Sequence, residues 1–256
     1  MIKVLAPHAY CKPEMMASSH LWNHLDEAFA ENGFHHVIYV PIPTRGVTKE
    51  EREEYKKRRR EVIYDGKLII NRFSLYGEGQ NSVLRALRYF LSCFISLWKC
   101  LHGKDAKDCN VIYSVSTPPI IGAMSAIVKK RKGIPFVYVL QDIFPDSLVG
   151  TGLAKKDGFL WKIGRKIEDF TYNHADKIIV IGDDFKRNIM AKGVPGQSGD
   201  GKKLSKVAIC QALAKAWGQA IFMLPKELET RKQYRAKFGD VDAKVCKLLT
   251  DYALKE

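Results

Sequence analysis

The sequence predicts an α/β protein with a doubly wound, mainly parallel sheet, followed by a helical carboxy-terminal tail. Three observations lead there. Short apolar runs rich in Val, Ile and Tyr alternate with segments of helical period, the order that builds a parallel sheet covered on both faces. Gly33, Gly133 and Gly193 stand where three of those helices stop. The 256 residues are 46% hydrophobic and 27% charged, apolar enough for a core and too apolar for disorder.

Taken in order, Ile2 to Leu5 is a first strand that meets Pro7. From Glu14 to Asn32, Leu21, Trp22, Leu25, Ala28 and Phe29 follow helical spacing. His36 to Val40 is a buried strand closed by Pro41 and Pro43. Residues 49–60 are charged at eleven of twelve positions, with Glu53/Lys57 and Glu54/Arg58 at i,i+4 spacing, so a solvated helix or loop is expected there. Val62 to Tyr64 and Lys67 to Phe73 flank Asp65-Gly66 as a β-hairpin. Strands are then expected over Asn110 to Ser114, Ile134 to Leu140 and Ala175 to Gly182, and helices over Ile120 to Lys132, Gly158 to His174 and Asp184 to Ala191. In an open parallel sheet the ligand crevice lies over the strand carboxyl ends. The loops after Leu5, Ser114, Leu140 and Ile181 are therefore the expected site.

Ser82 to Leu101 is an unusual helix. Its polar stripe of Asn81, Arg85, Arg88, Ser92, Ser96 and Lys99 is narrow, and the remainder is Leu, Phe, Ile, Tyr and Trp. Two readings stand side by side: a largely buried helix with arginines at its rim, or a basic, aromatic-bearing helix lying on an anionic bilayer. Lys and Arg number 42 against 28 acidic residues, a net charge of +14. Such an excess calls for an anionic partner: nucleic acid, an acidic membrane surface or a phosphorylated ligand. The longest nearly apolar run, Tyr89 to Trp98, falls short of the roughly 20 residues a spanning helix needs. The start lacks the apolar run of a signal peptide, so a cytoplasmic protein is expected. The six cysteines form no C-x-x-C pair and carry no zinc-finger histidine, so free thiols and no metal are expected.

The strings VYVLQDIFPDSLVGTGL and KIGRKIEDFTYNHADKIIVIGDDFKRNIMAKGVP resemble the amino-terminal half of family 4 glycosyltransferases. Lys3-Val-Leu-Ala-Pro, the helix end Ala30-Glu-Asn-Gly33 and the Ser116-Thr-Pro-Pro119 turn match as well. The nearest likeness is to the WbuB-like enzymes of capsule, O-antigen and exopolysaccharide assembly, and it covers about residues 1–195. The resemblance implies a Rossmann-like domain that forms one half of a GT-B fold. In that family the amino-terminal half binds the acceptor, commonly a polyprenyl-diphosphate-linked saccharide at the membrane, and the carboxy-terminal half binds the nucleotide-sugar.

It also implies a site. Gln141 and Asp142 occupy the loop that in retaining members contacts the transferred sugar, and they are the expected catalytic pair. Asp142 can accept a hydrogen bond from a sugar hydroxyl or stabilise an oxocarbenium-like centre, or it can simply cap the turn before Pro145. Asp146 and Ser147 read as cap and loop residues. Ser116 and Thr117, with His8, Tyr10, Lys12 and Glu14 of the early loop, are the expected acceptor-binding residues. The family's glycine-rich sequence is missing from that early loop. Arg85, Arg88 and Lys99 are the expected membrane-binding residues, facing lipid phosphates. Lys129 to Lys132 are read as favouring a helix dipole.

After residue 195 the likeness stops. GQSGDGKK reads as a flexible linker over 196–202, and 203–256 as a helical tail with twelve basic and six acidic residues from Lys202 onward. The acidic E-x7-E signature of the family's donor half is not found there. Three explanations remain open: a truncated or frameshifted product, one subunit of a split transferase completed by a donor-domain partner, or an acceptor-binding module docked peripherally at the inner face of the cell membrane. No cofactor is expected beyond a nucleotide-sugar on that second domain or subunit. The alternative from another class is a non-catalytic basic protein that binds membrane or nucleic acid. The chain has no zinc finger, RRM signature or clear helix-turn-helix arrangement, which argues against nucleic acid.

Overall fold

Consecutive strand residues enter two different cores. Val4 and Ala6 join a cluster with Phe29, Ile38 and Tyr113, whereas Leu5 between them joins Tyr39, Ile112 and Tyr138. That two-sided burial is what a parallel sheet requires. In the computed structural model, which describes residues 1–14, 19–77, 82–150 and 154–194, the strands are β1 (Lys3–Pro7), β2 (His35–Pro41), β3 (Arg60–Ile63), β4 (Leu68–Phe73), β5 (Val111–Val115), β6 (Phe136–Leu140) and β7 (Lys177–Val180). They form one sheet in the order β3-β4-β2-β1-β5-β6-β7, parallel except for the β3–β4 pair. This is the Rossmann-like α/β architecture expected, consistent with one half of a GT-B fold. The expected linker over 196–202, the tail over 203–256 and Asn81 lie outside the described residues.

Local chemistry accounts for the joints. Helix α1 (Ser19–Glu31) ends at Gly33, whose φ of 74° is open to glycine at no steric cost. Helix α2 (Lys49–Lys57) starts at Thr48, which accepts from the Glu51 amide at 3.1 Å while the Glu51 carboxylate accepts from the Thr48 amide at 2.7 Å. The expected i,i+4 pairs on α2 are replaced. Glu53 takes Lys56, and Arg58, already outside the helix at its C-cap, turns to Glu61 of β3. The hairpin between β3 and β4 turns through Tyr64, Asp65 and Gly66, all at positive φ.

Helices α3 (Ser82–His102), α4 (Ile120–Lys132) and α6 (Phe159–His174) stack side by side, α4 in the middle, on the Leu5 and Tyr138 face of the sheet. A short helix α5 (Asp146–Gly150), not expected from the sequence, follows β6, and α7 (Asp183–Ala191) follows β7. Gly122 of α4 lets the helices close: a Cβ there would stand 2.7 Å from Thr171 of α6 and 2.8 Å from the Tyr138 ring.

Helix α3 departs from the first of its two sequence readings, a largely buried helix with arginines at its rim. It buries its small and polar stripe, with Arg88, Ser92, Cys93, Ser96 and Cys100 all nearly inaccessible. It exposes Leu84, Leu87, Leu91, Phe94 and Trp98, each between 37% and 57% accessible. Small side chains allow close approach to α4, itself built from Gly, Ala and Ser, and interaxial distance follows the side chains at the contact. Arg88 was expected to face lipid phosphates. Instead it is 1% exposed, and its guanidinium donates to the Tyr76 carbonyl at 2.9 Å and the Thr44 hydroxyl at 3.3 Å. A buried charge held this way has no route to a membrane surface. No helix among the described residues is long and apolar enough to cross a membrane.

Candidate functional site

The chain leaves β1 towards β2 on one side and reaches β5 on the other, so the strand order reverses between β1 and β5. A crevice opens over the carboxyl ends at such a switch point. The loop after β1 carries His8 to Glu14, and the loop after β5 carries Ser116 and Thr117, so the fold sets these two segments on either side of it. The loop after β6, with Gln141 and Asp142, is the next one along.

Ser116 ties two of these loops together. It is 1% exposed, and its Oγ accepts from the amides of Gln141 and Asp142, each at 3.0 Å. The hydroxyl is thereby committed to shaping the β6 loop, while Thr117 beside it is exposed. Gln141 and Asp142 are half-buried. Asp146, the expected cap residue, accepts from the Trp161 indole at 3.1 Å and pairs with Lys192 at 2.5 Å. Burial pushes its carboxyl up, but those two hydrogen bonds outweigh the effect and hold it below the usual carboxylate range. The β6 loop is thus anchored at both ends, by Ser116 and by the α6 and α7 helices.

The early loop divides. Lys12 is exposed and Tyr10 half-buried, both consistent with contact to a ligand. His8 and Glu14 are buried, where the sequence reading has them facing the crevice. Glu14 accepts from the amides of Thr44 at 2.7 Å and Arg45 at 3.1 Å, clamping the loop after β2. Burial, only partly offset by these bonds, raises its carboxyl above the usual range. His8 packs edge-on to His36, which is itself bonded to Asp26 of α1 at 2.8 Å. Burial, and secondarily the charge of His36, lowers His8 to about 4, so it stays neutral near pH 7.

The sequence reading missed Thr44, Arg45 and Tyr89. Arg45 lies over the Tyr10 ring at 4.8 Å and donates to the Tyr89 hydroxyl at 2.9 Å, and the Tyr10 and Tyr89 hydroxyls are 2.5 Å apart. A signal existed: Pro41-Ile-Pro43-Thr-Arg is also a loop at a strand carboxyl end. The cluster places a cation and two phenols beside the crevice, a set that suits hydroxyl-rich or anionic ligands. Among the described residues, no three His, Cys, Asp or Glu side chains gather as a metal-binding group. Of the expected membrane-binding residues, Arg85 and Lys99 are half-buried on α3, with the Lys99 ammonium 5.2 Å from the Trp98 ring centre.

Ser116→Ala leaves the Gln141 and Asp142 amides without their acceptor. It is expected to cost about 1–3 kcal/mol and to speed hydrogen exchange selectively at those two amides; unchanged exchange would rule out the anchoring role. His8 sets a pH dependence. Between its ordinary 6.5 and about 4 the unfolded chain takes up a proton that the folded chain refuses. Stability therefore falls as pH drops through that window, by up to about 3 kcal/mol. Denaturant midpoints measured from pH 7.5 to 4 are expected to lose this component in His8→Gln.

Residues 20–198 match the family described as Glycosyl transferase 4-like domain. The chain is also similar to the protein named "Probable glycosyltransferase WbjE" of Pseudomonas aeruginosa, 30% identical over 81 residues. That alignment covers 32% of this chain and 20% of the relative. With the switch-point crevice, the Ser116 anchor and a family match over most of the chain, this protein belongs to the glycosyl transferase 4-like family.

Proposed function

We propose that this chain supplies the acceptor-binding half of a glycosyltransferase that assembles cell-surface polysaccharide or lipid-linked saccharide, working peripherally at the inner face of the cell membrane. The observation that carries this is the pairing of Ser116 with the Gln141–Asp142 backbone beside the switch-point crevice. It ties the backbone that carries Asp142 to the residue preceding the exposed Thr117, at the place where a parallel sheet takes its ligand. Asp142 then accepts a hydrogen bond from a sugar hydroxyl and stabilises positive charge developing at the anomeric carbon, with Gln141 beside it. Thr117, Tyr10 and Lys12 position the acceptor. The nucleotide-sugar binds to a second domain or to a partner subunit, since the sheet formed by the described residues is one Rossmann-like layer.

Membrane docking is assigned to α3. Leu84, Leu87, Leu91, Phe94 and Trp98 follow one another at three- and four-residue steps and form one exposed apolar stripe. A contiguous patch of this kind marks an interaction surface. The net charge of +14 favours an anionic bilayer as its partner. The same helix carries Tyr89 into the Tyr10–Arg45 cluster, so docking α3 brings the crevice to the lipid surface where a lipid-linked acceptor is found.

Two measurements test this. Binding of a short-chain polyprenyl-diphosphate saccharide is expected to weaken by about 10- to 100-fold in Asp142→Asn, the loss of a charge-assisted hydrogen bond; equal binding by both proteins would remove Asp142 from the site. In vesicle flotation, Leu91→Ser/Phe94→Ser is expected to abolish association with anionic vesicles while leaving the fold intact, because both side chains are already exposed. Undiminished flotation would remove α3 from the membrane.

A further inference from the structure

We propose that the carboxy-terminal end of α3 carries a second site, separate from the crevice: a cationic pocket that receives the phosphate headgroup of an anionic phospholipid. The proposal rests on the docking of α3 described above and adds a specific anchor to it. A cavity of about 790 Å³ lies between the β3–β4 hairpin, the last turn of α3 and the short 3-10 turn Lys104–Ala106. Arg59, Arg60, Trp98, Lys99, His102 and Lys104 line it.

Its charge is not neutralised from within. Asp105 is the carboxylate among the lining residues, and Arg60 already holds it with two hydrogen bonds of 3.1 Å. Among the described residues, Arg59 reaches only a backbone carbonyl, that of Lys56. Lys99 sits over the Trp98 ring, and neither Lys99 nor Lys104 has a carboxylate partner among the described residues. Arg60 and the lining Arg72 have their carboxylates, Asp105 and Glu61, whereas Arg59, Lys99 and Lys104 have none among the described residues, and cations left in this way around a cavity favour a bound anion. Arginine and lysine together suit phosphate, the one by its planar donor fork and the other as a point charge.

Position decides which phosphate. The apolar stripe runs along α3 and ends at Trp98, which is 57% exposed at the mouth of the pocket. Tryptophan prefers the boundary between hydrocarbon and headgroups, so the stripe lies in the acyl region while the cations meet lipid phosphates. A free phosphate would leave the stripe in water. Lys99 is ten residues beyond Tyr89, about 15 Å along the helix. The pocket therefore pins the far end of α3 and sets the tilt at which the crevice meets the bilayer.

The test uses the full chain and vesicles of phosphatidylcholine with or without phosphatidylglycerol. Lys99→Gln/Lys104→Gln is expected to weaken binding to the phosphatidylglycerol vesicles by roughly 30-fold, the effect of removing two lysines from a lipid-phosphate surface. Lys155→Gln/Lys156→Gln, which removes the same charge from the exposed segment before α6, towards the β6–β7 edge of the sheet, is expected to weaken it by less than about threefold, since neither lysine lines the pocket. Equal losses in the two variants would overturn the pocket and leave the apolar stripe as the sole anchor. Absence of vesicle binding by the unsubstituted protein would overturn the docking of α3 itself. Saturable binding of glycerol phosphate that the Lys99→Gln/Lys104→Gln variant loses, with its vesicle binding unchanged, would assign the pocket to a soluble phosphate and overturn the lipid.

Discussion

The placement of every functional element depends on β1 being buried on both faces at the centre of a parallel sheet. A strand in that position pairs on each side with a parallel neighbour, β2 and β5. All the loops that leave the carboxyl ends must then emerge together, because parallel strands point the same way. The reversal of strand order beside β1 parts the helices and leaves room for a ligand. No individual side chain creates the crevice; the two-sided burial of short Val- and Ile-rich strands does.

Buried polar groups convert that topology into a defined rim. Glu14 clamps Thr44 and Arg45, Arg88 reaches Thr44 and the Tyr76 carbonyl, and Ser116 holds the Gln141–Asp142 backbone. Each has given up solvent for fixed partners, and a buried polar group is tolerated only when so satisfied. The side chains proposed to meet a ligand stand on the same loops: Tyr10 and Lys12 a few positions before Glu14, Thr117 directly after Ser116, and Asp142 on the anchored backbone itself. Anchors of this kind fix the backbone of the rim while leaving neighbouring side chains such as Lys12 and Thr117 exposed.

The outward apolar face of α3 gives the same helix two tasks. Through Tyr89 it belongs to the rim, through Leu91, Phe94 and Trp98 to a surface that water does not favour. Cysteines 93, 100 and 109 on or next to this layer are inert spacers, since burial pushes the Cys93 thiol up to about 12 and the Cys109 thiol up to about 11. Under the proposed function, a helix that joins the rim to this apolar face suits a transferase whose acceptor is held in a membrane.

Strand positions, the hairpin at Asp65-Gly66 and the helix stops at Gly33 and Gly133 were legible because they depend on local rules, apolar period and positive φ. The Ser116 and Gln141–Asp142 loops were legible because a strand's carboxyl end is a topological property that alternation of elements already determines. The burial of Arg88 and Glu14, and the part played by Thr44, Arg45 and Tyr89, were not, because each depends on partners 30 to 44 residues away. The face of α3 shows the division most plainly. From sequence alone, the broad apolar side fits either the core or a lipid surface. In the folded chain the small side wins, because α4 is itself lined with Gly, Ala and Ser and close approach of two small surfaces excludes the large rings. Periodicity determined that α3 is an amphipathic helix; only the neighbour it packs against decided which face is inside.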